Sequence, residues 1–162
     1  MNIHWIAYVL AGFIATLFLT TSLAVCRGLG LTRMDFSLML GTMFTYDRDR
    51  AKAVGFFLHF LFGWIFSFVY IVIFIEVGRD SGVSSVWIGP LLGLLHGMFL
   101  LSVGMWLLPS FHPRMASEDF GPEPTRQLEP PGYLALNYGG QTPLVTVIAH
   151  VAYGAILGLM YR

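Results

Sequence analysis

The 162 residues are 56% hydrophobic and 11% charged, with a mean hydropathy of +0.71, a balance that excludes a soluble domain of this size. Lysine plus arginine equals aspartate plus glutamate at nine each, so no global field draws nucleic acid or an anionic substrate to the chain. Cys26 is the single cysteine, which excludes an intrachain disulfide and a cysteine-built zinc site but leaves pairing with another chain open.

The opening residues Met1-Asn2-Ile3-His4 lack the basic n-region of a cleaved signal peptide, and the apolar run after them is too long for an h-region. Trp5–Cys26 therefore reads as a retained transmembrane helix. Crossing a hydrocarbon core of about 30 Å takes roughly 20 mostly apolar residues. Three further runs meet that requirement: Ala53–Ile75, Val83–Leu108 and Pro143–Tyr161. Lipid offers no partner to a backbone N–H or C=O, so runs of this kind must be helical. The expected fold is all-α: a polytopic four-helix bundle, with residues 1–162 forming one transmembrane domain in contact with the lipid bilayer.

The first connection holds Asp35-Phe36-Ser37-Leu38-Met39-Leu40-Gly41-Thr42-Met43-Phe44, too apolar for water and too short to span. Segment 35–44 is expected at the interface or as a re-entrant piece. The alternating charges of Asp47-Arg48-Asp49-Arg50-Ala51-Lys52 then cap and solvate the start of the second span. Gly78–Gly82 reads as a short polar turn that makes the second and third spans antiparallel neighbours.

The third connection, 109–142, carries Pro109, Pro113, Pro122, Pro124, Pro130 and Pro131, which predicts extended, polyproline-like backbone. Its apolar and aromatic part, Pro131–Gly140, is expected to fold back on the bundle as an ordered lid beside a mobile acidic stretch, Ser117–Glu129. The polar residues of this connection, His112, Arg114, Glu118, Glu123, Arg126, Glu129 and Asn137, show no spacing of a nucleophile and base or of a metal site, and read as solvated loop chemistry.

Orientation follows from the basic residues. Arg27, Arg33, Arg48, Arg50, Lys52, Arg114 and Arg126 stand in the first and third connections, against Arg79 and Arg162 on the other side. That bias predicts both termini outside. Trp5 and Trp87 then fall at the outer interface and Trp106 at the inner one, with Trp64 an exception near mid-span. No repeat relates the two halves, so the inverted-repeat signature of many transporters is missing.

His59, His96 and His150 lie inside predicted spans, and ionisable residues at membrane depth are candidates for function. His59 shares a helical row with Gly55, Gly63 and Ser67, and His150 with Gly154 and Gly158. His96 follows Gly89 and Gly93 on one face. Each imidazole therefore sits on a small-residue face, where helices approach closely. Two accounts fit: hydrogen bonds across tight interfaces, or axial ligation of a flat ring such as haem or a chlorin, with quinone contacts and proton relay as lesser options. A bare metal site is not expected, because no Asp, Glu or Cys lies mid-span to complete a shell. No catalytic residue is assigned.

The strings Leu40-Gly41-Thr42-Met43-Phe44-Thr45 with Asp47–Lys52, His112-Pro113-Arg114-Met115, and Leu128-Glu129-Pro130-Pro131-Gly132 with Leu136-Asn137-Tyr138-Gly139 resemble those of a group of small bacterial integral-membrane proteins with no assigned reaction. The resemblance covers most of the chain and implies a bacterial inner membrane, where the charge bias would put both termini in the periplasm. It implies no activity and carries over no site residue.

Three functions are weighed in this order. The first is a non-catalytic accessory or assembly subunit that packs against other membrane-protein subunits or copies of itself, argued from the ladder Gly89, Gly93 and Gly97. The second is a histidine-ligated haem or pigment carrier using His59, His96 or His150. The third is a small permeation or transport unit opening between the third and fourth spans. Enzymatic chemistry ranks last, because the spans hold no paired carboxylates and no triad.

Overall fold

A computed structural model describes residues 5–81, 84–115 and 128–161. Among them run α1 (Trp5–Gly28), α2 (Phe36–Gly41), α3 (Arg48–Ser81), α4 (Ser85–Phe99), a π-helical turn (Leu100–Gly104), α5 (Met105–Phe111), a 3-10 turn (Tyr133–Tyr138) and α6 (Thr142–Met160). No strand occurs among the described residues. Four helices are long and apolar enough to cross a membrane: Ile6–Gly28, Arg48–Gly78, Ser85–Phe111 and Thr142–Met160. The chain is an all-α, multi-pass membrane protein.

Local chemistry sets the helix ends. The α1 terminus closes with Gly30 at φ 76°, where the Gly30 N–H donates to the Arg27 carbonyl at 3.0 Å and the Leu31 N–H to that of Cys26 at 3.0 Å, a paired cap that only a residue tolerant of left-handed backbone supplies cheaply. Asp35 caps α2 by accepting from the Leu38 N–H at 3.0 Å, and its other oxygen pairs with Arg27. Asp47 caps α3 through the N–H groups of Asp49 and Arg50, at 3.1 and 2.9 Å.

Several boundaries differ from the sequence reading. Helix α3 is longer than the apolar run Ala53–Ile75 and takes in charged residues at both ends, because a helix continued beyond its apolar part needs only solvation, not apolarity. The segment read as a polar turn from Gly78 is helical through Ser81. The third span runs past Leu108 to Phe111, so Pro109 lies inside a helix rather than opening an extended loop. Its missing N–H removes one bond near a helix end, which a short terminal turn survives. The expected interfacial segment 35–44 contains α2, packed along the start of α3.

Within the third connection, residues 116–127, including Glu118, Glu123, Arg126 and most of the acidic stretch, lie outside the described residues. Beyond them Leu128 bridges Met115. The 3-10 turn then seats Ala135 and Tyr138 among Met34, Met39, Leu101 and Met105. The Arg33 N–H donates to the Tyr138 carbonyl at 2.7 Å, and the hydroxyls of Thr32 and Thr142 share a buried bond of 2.7 Å. These contacts tie the two connections together at one end of the bundle. At the other end the rings of Tyr8 and Tyr161 stack at 5.9 Å, which puts the start of α1 and the end of α6 on the same face of the membrane.

The four spans pack unevenly. Helix α4 lies along α6 so closely that a Cβ at Gly93 would meet the His150 carbonyl, and one at Gly154 the carbonyl of Gly89. Ser85 closes this pair by donating to the Gly158 carbonyl at 2.8 Å. Helix α1 packs between α3 and α6, whereas α3 and α4, although adjacent in sequence, touch sparsely. Trp64, the mid-span exception, donates its indole N–H to the Val9 carbonyl of α1 at 3.1 Å, so its polar edge is satisfied inside lipid. Trp87 and Trp106 are exposed on the outer surface of the bundle.

Candidate functional site

The loose seam between α3 and α4 leaves a cavity of about 230 Å³, lined by His59 and Phe66 of α3, His96 of α4, His150 and Tyr153 of α6 and Phe36 of α2, among others. Leu100, the first residue of the π-helical turn, lines it too. Phe62 lines the cavity and is exposed on the bundle surface, so the cavity reaches the lipid face. The three histidines singled out in the sequence come from three helices to one space.

Each imidazole is held by its Nδ1. His150 Nδ1 lies 2.8 Å from the Thr146 carbonyl, which can only accept, so that nitrogen carries the hydrogen. His59 Nδ1 lies 3.0 Å from the Thr20 hydroxyl. Thr20 Oγ1 also lies 2.8 Å from the Thr16 carbonyl, and both bonds form only if its one hydrogen goes to that carbonyl and His59 Nδ1 is the donor, the arrangement that satisfies the most groups. His96 Nδ1 lies 3.3 Å from the hydroxyl of Tyr70, a buried side chain. That hydroxyl needs an acceptor in a dry interior, and this nitrogen is its only described partner, so Tyr70 donates.

The rings are fixed from their sides as well. Phe36 meets His59 edge-on at 4.9 Å, Phe66 lies over His96 at 4.0 Å, and His96 meets His150 at 4.9 Å with an interplanar angle of 75°. Tyr153 donates to the Gly63 carbonyl at 2.6 Å and so anchors α6 to α3 beneath the cavity. Among the described residues no group of three or more His, Cys, Asp and Glu side chains has a geometry that could hold a metal ion.

Sequence reasoning picked out the histidines but missed the residues that orient them. Tyr153 stands one turn from His150, and Tyr70 three turns from His59 on the same face, so helical periodicity could have found both. Thr20 carries no such signal, because it reaches His59 from another helix.

A second space of about 340 Å³ lies at the α2 end of the bundle, between α1, α2 and α3, with Arg27, Asp35 and Lys52 among its lining. Phe36 and His59 line this groove and the histidine cavity alike. Nearby, His112 is buried where solvated loop chemistry is the sequence expectation. Its Nε2 donates to the Met39 carbonyl at 2.9 Å, its Nδ1 accepts from the Arg114 N–H at 3.1 Å, and the Arg114 side chain donates to the Thr42 carbonyl at 2.7 Å. Burial pushes the His112 imidazole below its ordinary range, partly opposed by the Met39 carbonyl. Tyr138 is pushed up to about 12 by burial and by the neighbouring Glu129, with Arg33 acting in the other direction.

No family model matches the chain, and neither a curated protein nor a solved structure matches it. The resemblance to small bacterial membrane proteins therefore rests on the sequence strings alone.

Proposed function

We propose that this chain is a non-catalytic binding protein that takes a small lipid-soluble ring molecule from the bilayer through the α3–α4 seam and holds it among His59, His96 and His150. One observation carries the reading: three imidazoles, each anchored at Nδ1, line one cavity that reaches lipid at Phe62. Anchoring one ring nitrogen and leaving the other to a ligand is how histidine is prepared for recognition.

Size favours a single ring over a macrocycle. A cavity of about 150 Å³ accepts benzene, so about 230 Å³ suits a substituted six-membered ring and is small for haem or a chlorin. The His96–His150 pair also argues against these two rings ligating one metal from opposite sides. Two metal–nitrogen bonds of about 2 Å each already separate the two nitrogens by most of the 4.9 Å found between ring centroids.

The accessory-subunit reading loses its particular support, because Gly89, Gly93 and Gly97 face α6 of the same chain. The proposal places the chain in a bacterial inner membrane with its termini periplasmic, supported by the basic residues gathered at the α2 end. A reporter fused after Tyr161 that is active only in the cytoplasm should stay silent.

Mass spectrometry of small molecules released from protein purified in native lipid discs tests the function. A one-ring lipid-soluble compound should be enriched over empty discs and lost in the His59→Leu/His150→Leu double variant, with no Soret band in the visible spectrum. Release of bulk phospholipid alone would refute the reading.

A further inference from the structure

We infer that the cavity selects a ligand that donates hydrogen bonds, of which a quinol is the class that fits, in preference to the oxidised quinone of the same size. This deepens the binding role proposed above and rests on it. In an uncharged imidazole one nitrogen carries hydrogen and the other bears a lone pair. His150 Nδ1 carries hydrogen because the Thr146 carbonyl can only accept, and His59 Nδ1 carries it in the arrangement that makes both Thr20 bonds. The Nε2 atoms of these two residues are therefore acceptors. At His96 the polarity is reversed: Nδ1 accepts from Tyr70, so Nε2 is a donor.

The site thus offers two acceptors, on α3 and α6, and one donor, on α4. A quinol has two O–H groups, each able to donate and to accept, so it satisfies all three nitrogens. A quinone has only carbonyl oxygens. It takes one hydrogen bond from His96 and sets its remaining lone pairs against those of His59 and His150. A buried polar site rejects an analogue that leaves its groups unpaired far more strongly than one that merely fits less well. Phe36, Phe62, Phe66 and Tyr153, which supply aromatic wall to the cavity, suit a flat ring in either oxidation state, so the selectivity falls to the nitrogens.

Thr20 is the positioning residue on which the inference turns. It lines the neighbouring groove and not this cavity, yet it fixes which His59 nitrogen carries the hydrogen. Thr20→Val removes that constraint and lets His59 present Nε2–H, so that an acceptor ligand becomes acceptable at that end.

The test uses the full chain in lipid discs under anaerobic conditions, with a decyl-substituted benzoquinol, its quinone and its dimethyl ether as probes, and with empty discs as the partition blank. Retention of the quinol about tenfold or more above both of the others is expected. In Thr20→Val this preference should fall several-fold through a gain in quinone binding, whereas a merely structural role for Thr20 would weaken both probes together. A tenfold preference also raises the midpoint potential of the bound two-electron couple by about 30 mV, which gives a second readout. Equal retention of quinol and quinone, or preference for the quinone or the ether, overturns the inference and leaves the binding role standing. Retention of no probe above empty discs overturns both.

Discussion

Helix α4 meets its two neighbours in opposite ways. Against α6, distant in sequence, it brings backbone to backbone at Gly89 and Gly93; against α3, its neighbour in sequence, it makes a sparse seam in which Phe66 and Tyr70 meet His96 beside the cavity. In lipid no hydrophobic force draws helices together, so shape complementarity and polar contacts decide which pairs close. Glycine on both partners closes the first pair. Large aromatic side chains around an imidazole hold the second apart. A short connection makes two helices neighbours without making them pack.

The largest effect should come from breaking the close pair. Gly93→Leu places a side chain on the His150 carbonyl, and the expected loss is about 4 kcal/mol or more, read as failure to elute as one species in mild detergent. Gly104→Leu is the contrast on the same span: a Cβ there meets only the Leu100 side chain, and its melting temperature should stay near that of the parent. Next comes the tie between the two sides of the cavity. Tyr153→Phe removes the bond to the Gly63 carbonyl and should cost about 1–2 kcal/mol in reversible unfolding in mixed micelles.

At the seam itself the balance inverts. Phe62→Ala alters an exposed lip of the cavity, so stability should change by less than about 1 kcal/mol while retention of the benzoquinol probe falls measurably. A variant that lost stability and kept its ligand would erase the distinction between the two contacts.

The smallest effect lies outside both. His112 is buried with its acidity raised, so the folded state holds its proton less tightly than the unfolded chain does. The stability it contributes is present above the unfolded value of about 6.5 and is lost as pH falls through the lower folded value. Protection of the Met39 and Arg114 amides against hydrogen exchange, taken relative to the intrinsic rate at each pH, should fall modestly between pH 7.5 and pH 5, and the His112→Gln variant should lack that change.

Hydropathy made the four spans legible, because twenty apolar residues in a row leave backbone few alternatives. It delimited the apolar part of α3 but not the whole helix, since Arg48–Lys52 and Glu76–Ser81 continue it with charged residues that hydropathy does not register. The glycines read correctly as contact points, but not whose contacts they were: a ladder such as Gly89, Gly93 and Gly97 serves an outside partner and an inner helix equally well in sequence. The histidines stood out because ionisable groups at depth are rare. Their tautomers did not, since those depend on Thr20, Thr146 and Tyr70, whose distances from the rings exist only once the helices have packed. The π-helical turn at Leu100 had no sequence signal either, although it sets one wall of the cavity.

The Phe36–His59 contact has an electrical meaning. On one side of it lies a groove with the charged residues Arg27, Asp35 and Lys52 in its lining; on the other lies the cavity in the interior of the bundle. Moving one elementary charge through 100 mV is worth about 2.3 kcal/mol, and that drop falls mainly across whatever insulates. The cavity, walled by apolar and aromatic side chains, belongs to the insulator, so the drop begins at the two rings that meet edge-on at 4.9 Å, and His59 stands at its groove-side edge.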